Sequence, residues 1–313
     1  MTKIIMRKFL ILLLAVPFLA ASCDLGGLFD FGGGGARGVF KSEDNGGTFN
    51  PFNNLEKKGD ISNLAINTLV ADQSNPDILF AGSSSGLHRT ENGGKTWRYI
   101  LAGINVSSIA VDKSNPSTIY AAGLVGQNGK IIKSLDNGTS WTDIYSEPSK
   151  SNTVLSIAIS SVSPSTILAG LNNGELIRST DSGNTWQATK DFADRVLNIK
   201  FGSSATAYAL TSKNGLYKST DLGVTWTSLT SSLTQDTINS LNKNAISITA
   251  FYELALDIRQ NGVIYLGTEQ GLFRSVNDGK DWAFMSMPVR NAALRVSAIS
   301  VNPQNSNNLF VSV

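Results

Sequence analysis

One eight-residue phrase is written six times along this chain. In its fullest form it is Ser179-Thr180-Asp181-Ser182-Gly183-Asn184-Thr185-Trp186. It also occupies residues 42–49, 90–97, 134–141, 219–226 and 275–282, a spacing of 40 to 56 residues. The pattern is Ser/Thr-x-Asp/Asn-x-Gly-x-Thr-Trp, with Ser140 and Asp281 in place of the Thr and Phe49 in place of the Trp. A polar, Gly-containing phrase that ends on an aromatic residue reads as a hairpin turn leading into a strand. A supersecondary unit repeated at this period is the signature of propeller blades.

The residue types explain the turn. A carboxylate at Asp44, Asp136, Asp181 or Asp221 can accept backbone N–H groups of its own loop, and the amides of Asn92 and Asn277 do so less strongly. The Gly held at one slot of every copy points to a positive φ there. All five Trp of the protein, Trp97, Trp141, Trp186, Trp226 and Trp282, end a copy of the phrase. They are expected to pack against neighbouring blades, which leaves none over as a stacking platform.

This pattern resembles the Asp-box, or BNR, repeat. The chain is similar over residues 38–313 to the Asp-box propellers, which include sialidases, xyloglucanases, sortilin-type receptor domains and photosystem II assembly factors. The resemblance implies an all-β propeller. It carries little about chemistry, because these families share the turn and not the reaction.

Between the boxes lie pairs of apolar runs joined by polar turns, such as 106–112 with 119–123 and 154–160 with 167–170. Pro76, Pro116, Pro164 and Pro303 sit in those turns, where the missing N–H does no harm. Box pairs and apolar pairs each occur six times. The chain opens on a box pair and closes on an apolar pair, so the two halves are expected to complete one sheet. That reasoning predicts six four-stranded blades, closed by pairing of the N- and C-terminal strands.

Residues 1–22 read as a signal peptide: Lys3, Arg7 and Lys8 precede an apolar run too short for a comfortable membrane span. Cys23 is the only cysteine, which rules out an internal disulfide. Leu19-Ala20-Ala21-Ser22-Cys23 resembles a bacterial lipobox, which implies lipidation at Cys23. The Gly-rich residues 23–37 would then be a flexible tether, and the propeller would be exported and lipid-anchored to a bacterial membrane. The chain carries 26 Lys+Arg and 24 Asp+Glu, and removing the signal leaves 23 against 24. No basic field for nucleic acid remains.

Catalytic groups are scarce. The sole His, His88, falls in a strand slot otherwise filled by Phe40, Ile132, Ile177, Tyr217 and Phe273, so it reads as a packed residue. With one His and one Cys there is no material for a His/Cys metal site or a Ser-His-Asp triad, and no cofactor is implied. The next slot is basic in every repeat: Lys41, Arg89, Lys133, Arg178, Lys218 and Arg274. These stems are expected to pack between blades while their heads reach turn carbonyls or acids.

The end opposite the boxes carries the longer loops, above all 230–249. Arg195, Lys213, Glu269, Arg290 and Arg295 are expected on that face. Two functions compete. The first is a non-catalytic, monomeric binding or assembly scaffold, with a protein or glycan partner on the loop-rich face. The alternative is a glycoside hydrolase, sialidase-like or xyloglucanase-like. The sialidase resemblance implies an arginine cluster and a Tyr–Glu pair, for which Arg195, Arg290, Arg295, Tyr252 and Glu253 supply the residue types. The Arg-Ile-Pro signature is missing, and Arg37-Gly38-Val39 does not match it.

Overall fold

The computed structural model describes residues 37–42, 48–230, 248–287, 295–302 and 305–312. Five four-stranded antiparallel sheets follow one another in chain order, each a simple meander. Two hairpins flank them. The N-terminal hairpin is β1 (Phe40–Lys41) and β2 (Asn50–Pro51). Blade 1 is β3 (Ile66–Ala71), β4 (Leu79–Ser83), β5 (Gly86–Thr90) and β6 (Arg98–Ala102). Blade 2 is β7 (Asn105–Val111), β8 (Ile119–Val125), β9 (Asn128–Ser134) and β10 (Thr142–Lys150). Blade 3 is β11 (Val154–Ile159), β12 (Ile167–Leu171), β13 (Glu175–Ser179) and β14 (Gln187–Asp191). Blade 4 is β15 (Val196–Phe201), β16 (Ala207–Thr211), β17 (Leu216–Ser219) and β18 (Thr227–Ser228). Blade 5 is β19 (Phe251–Leu256), β20 (Ile264–Thr268), β21 (Gly271–Ser275) and β22 (Ala283–Met285), and β23 (Ala298–Val301) with β24 (Leu309–Ser312) forms the C-terminal hairpin.

The all-β propeller expected from the repeat is therefore present, but with five blades and not six. The two terminal hairpins form separate two-stranded sheets and do not complete one blade. Each is held by the blade beside it. Val39 packs with Ile61, Ile66, Leu79, Ala81 and Trp97 at blade 1. Val296 and Ile299 pack with Ala255, Val263, Tyr265 and Leu272 at blade 5. The strands of the first hairpin are only two residues long, and Pro51 brings no N–H to a ladder. Counting six boxes overcounted blades because a box needs only a hairpin. Phe49, which ends the first box, is 38% exposed, whereas Trp97 is fully buried.

The boxes work as the residue types require. In blade 3, Asp181 Oδ1 accepts the Thr185 N–H at 2.9 Å, Oδ2 accepts its hydroxyl at 2.6 Å, and the Gly183 N–H donates to Ser179 Oγ at 2.8 Å. Gly183 has φ +90, and a Cβ there would lie 2.5 Å from Ile144 Cδ1 of the preceding blade. Trp186 Nε1 donates to the Ile144 carbonyl at 3.1 Å, as Trp141 does to Ile100 at 3.0 Å and Trp97 to Phe52 at 2.7 Å. These three indoles thus tie their blades to the unit before, whereas Trp226 and Trp282 donate to Gly223 and Gly279 of their own boxes. Asp44 lies outside the described residues.

Hydrogen bonds from Thr185 and Ser179 hold the Asp181 carboxyl down at about 2, against an ordinary 3.8. Asp136 is likewise lowered to about 2 by Ser140 and Ser134. A carboxyl whose folded pKa is depressed stabilises the fold above its unfolded pKa, and that contribution disappears as pH falls through the folded value. The melting temperature of Asp181→Asn should therefore fall less than that of the unaltered protein between pH 4 and pH 2. Parallel acid limbs for the two proteins would contradict this role.

The basic slot stitches blades together. Lys133 Nζ reaches the Ser182 carbonyl at 3.0 Å, Arg178 Nε the Leu222 carbonyl at 2.9 Å, and Lys218 Nζ the Asp278 carboxylate at 3.4 Å. Each of these partners sits in the box of the next blade. The cations also lie over rings of the paired strand, Lys133 over Tyr120 and Lys218 over Tyr208. His88 is buried against Tyr99, with ring centroids 4.8 Å apart.

Candidate functional site

The inner strands of all five blades share one irregularity. Their register with the second strand shifts between the first and third residues of the run, at Ile66/Thr68, Val106/Ser108, Val154/Ser156, Val196/Asn198 and Phe251/Glu253. Such a bulge inserts an extra residue and re-aims the side chain beside it. The third slot holds Thr68, Ser108, Ser156, Asn198 and Glu253 in turn. Its side chains bridge blade to blade: the Ile157 N–H donates to Ser108 Oγ at 3.2 Å and the Ile199 N–H to Ser156 Oγ at 2.9 Å.

Only blade 5 puts a carboxyl in this slot. Glu253 is 8% exposed. Its Oε1 accepts Asn198 Nδ2 of blade 4 at 2.9 Å and the Leu254 N–H at 3.1 Å. Burial pushes its pKa up to about 7, against the pull of Lys200, Leu254 and Asn198. A carboxyl at about 7 is divided between acid and base forms at neutral pH, which suits proton transfer.

Four residues before Asn198, Asp194 has the opposite character. Its Oδ1 accepts Ser212 Oγ at 2.5 Å, and its Oδ2 accepts the Lys213 and Asn214 N–H groups at 2.5 and 2.9 Å. Burial raises its pKa, but these donors outweigh it and the carboxyl lies below its ordinary value. Lys213 and Arg195 are exposed on blade 4. The Arg295 guanidinium stacks 4.3 Å from the centre of the Tyr252 ring. Glu269 holds the start of blade 5, its oxygens accepting the Thr249 and Ala250 N–H groups at 2.5 and 2.6 Å. Arg290, residues 231–247 and Cys23 lie outside the described residues.

Glu253 stood out in the sequence only as half of a Tyr–Glu pair. Aligning the third slot across blades exposes it more directly, as the one carboxylate among hydroxyls and an amide. No group of three or more His, Cys, Asp or Glu suited to a metal ion occurs among the described residues. A shallow depression of about 300 Å³, lined by Ser149, Lys150, Ser151, Asn152, Asn172 and Asn173, lies where blades 2 and 3 meet. Nothing in the sequence pointed to it.

No family model matches the chain. A xyloglucanase from Paenibacillus sp. is 25% identical over 223 residues, which is 60% of this chain and 22% of that protein. Among solved structures, the GH74 enzyme of Niastella koreensis superposes with a TM-score of 0.68 at 17% identity, covering 88% of this chain and 48% of its own. An ancestral GH74 enzyme gives 0.60 at 20% identity, covering 80% and 36%. The extracellular domain of a hybrid two component system from B. thetaiotaomicron gives 0.60 at 16% identity, covering 88% and 34%. At these identities the superpositions establish a propeller and no more. The chain spans under half the length of each of these relatives. The sequence relative nonetheless overturns the first expectation, a non-catalytic scaffold, in favour of the glycoside-hydrolase alternative.

Proposed function

We propose that this chain is a glycoside hydrolase acting on a xyloglucan-type β-glucan. The observation that carries the reading is Glu253, the carboxyl of the bulged inner-strand slot, held across blades by Asn198 and raised to about 7 by burial, whereas hydrogen bonds hold Asp194 of blade 4 below its ordinary value. Environments that push two carboxyls apart in pKa assign the acid and the base. Glu253 Oε1 is occupied by two donors, so Oε2 carries the proton delivered to the glycosidic oxygen. Asp194, on the adjacent blade, is the candidate for the second carboxylate, the one that activates water or stabilises the cationic sugar. The Paenibacillus relative supports the choice of substrate. Export and lipid attachment through Cys23 belong to the same proposal, since a polysaccharide of this size is met outside the cell.

The test is direct. Full-length protein incubated with xyloglucan, and in parallel with unbranched β-glucans, should release new reducing ends, with xyloglucan preferred. Folded protein that releases none from any of these substrates would refute the reading.

A further inference from the structure

The third slot of the inner strands joins blades 2, 3 and 4 by one repeated bond. At the junction of blades 2 and 3 the Ser108 hydroxyl accepts the N–H of Ile157, the residue after Ser156. At the junction of blades 3 and 4 the Ser156 hydroxyl accepts the N–H of Ile199, the residue after Asn198. Continued to blades 4 and 5, the same bond would have Asn198 accept the N–H of Leu254, the residue after Glu253. It does not form. The Leu254 N–H donates to Glu253 Oε1 of its own strand at 3.1 Å, and Asn198 Nδ2 donates to that same oxygen at 2.9 Å. The junction is still bridged, but the preceding blade supplies a donor in place of an acceptor.

The exchange follows from the chemistry of the two side chains. An ionised carboxyl offers only acceptors, so a buried one needs N–H or O–H groups around it. The Asn198 amide supplies such a group without bringing a second charge out of water. Two donors on Oε1 also keep a proton off that oxygen. Hydrogen bonds to the charged form favour it, so Asn198 works against the burial that raises this carboxyl. Strands β15, β16, β20 and β23 pack against β19. Their titratable side chains are Lys200 on β15, Tyr208 on β16 and Tyr265 on β20, with none on β23. Lys200 also favours the ionised form, but it is exposed and therefore screened by salt.

We propose that Asn198 is the positioning residue of Glu253: from the neighbouring blade it holds Oε1, sets the orientation of the carboxyl and confines its proton to Oε2. The consequence for catalysis rests on the hydrolase reading, whereas the hold on the carboxyl does not.

Full-length protein carrying carbon-13 at its glutamate carboxyls tests the hold, with the Glu253 resonance identified by its loss in Glu253→Gln. Asn198→Ser restores the hydroxyl found in blades 2 and 3, so it can bridge to Leu254 while withdrawing the donor. If Asn198 only joins the blades, serine should serve as well. If it positions Glu253, the titration midpoint should rise by about one pH unit, the size of one charge-assisted hydrogen bond. That rise should persist at high salt, unlike any rise in Lys200→Met. The alkaline limb of kcat/KM on xyloglucan should move up with the midpoint. Asn198→Asp, matched in size, is the second variant: two facing carboxyls resist joint ionisation, so Glu253 should titrate higher still. A Glu253 midpoint unchanged in both variants would overturn the assignment, as would a rise in Asn198→Ser that salt abolishes. A raised midpoint in protein that releases no reducing ends would keep the hold and remove the hydrolase. Release whose alkaline limb ignores the raised midpoint would keep the hold and take the acid role from Glu253.

Discussion

Replacing Glu253 by Gln is expected to lower kcat/KM on xyloglucan by about 10²–10⁴, the usual contribution of a positioned proton donor. The amide keeps the size of the side chain and an oxygen that can still accept from Asn198 and Leu254, so the fold should survive. The pH profile of the unaltered enzyme supplies a second readout. Glu253 must be protonated to act, so activity should decline as pH rises through about 7. Stability should follow the same group. Its folded pKa lies above the ordinary 4.5, so the folded state holds the proton more tightly than the unfolded chain. Stability is then greatest below pH 4.5 as far as this group is concerned, and is lost as pH rises to 7, by ~3 kcal/mol at most. Glu253→Gln should remove that loss and melt higher than the unaltered protein at pH 8. A variant with unchanged activity and the same alkaline melting behaviour would show that the carboxyl has neither role.

Gly170→Ala should be strongly damaging for a single added methyl. A Cβ at Gly170 would lie 2.4 Å from Val196 Cγ1 and 2.6 Å from Val196 Cβ on the inner strand of the next blade. Neither side can yield easily, because Val196 is fully buried with Leu168, Leu176 and Ile199 around it. Forcing volume into such a core costs ~1–3 kcal/mol or more. Gly126→Ala is the matched control. It has φ 59 but nothing within 4 Å of its Cβ, so only local backbone strain of about 1–2 kcal/mol applies. Thermal melts should rank Gly170→Ala below Gly126→Ala, and the reverse order would mean that the blades can slide apart near the axis. The same close approach recurs at Gly82 against Val106 and at Gly267 against Val296. It explains why the second strand of a blade repeatedly places Gly beside the next inner strand.

The local chemistry of the fold was legible in the chain itself. Ser179, Asp181, Gly183 and Trp186 lie within one turn, and short-range hydrogen bonds at fixed offsets decide their conformation, so a phrase repeated six times announces six such turns. The basic slot could be read for a similar reason, since a Lys or Arg three residues before the acidic position has box carbonyls and acids within reach, in the next blade for Lys133, Arg178 and Lys218 and in its own box for Arg89.

What the phrase could not decide was how many hairpins would share a sheet. Whether β1–β2 joins β23–β24 depends on partners more than two hundred residues apart. Each hairpin instead buries its apolar face on its own adjacent blade, through Val39 at one end and Val296 at the other. Glu253 divides in the same way. Its presence is a matter of sequence, but its proton affinity arises from burial between β15 and β19, where Asn198 meets it from another blade. The depression between blades 2 and 3 depends on the bulge of β10 and the β12–β13 turn arriving side by side. Distances between chain-remote groups set both, and only the packed blades supply those distances.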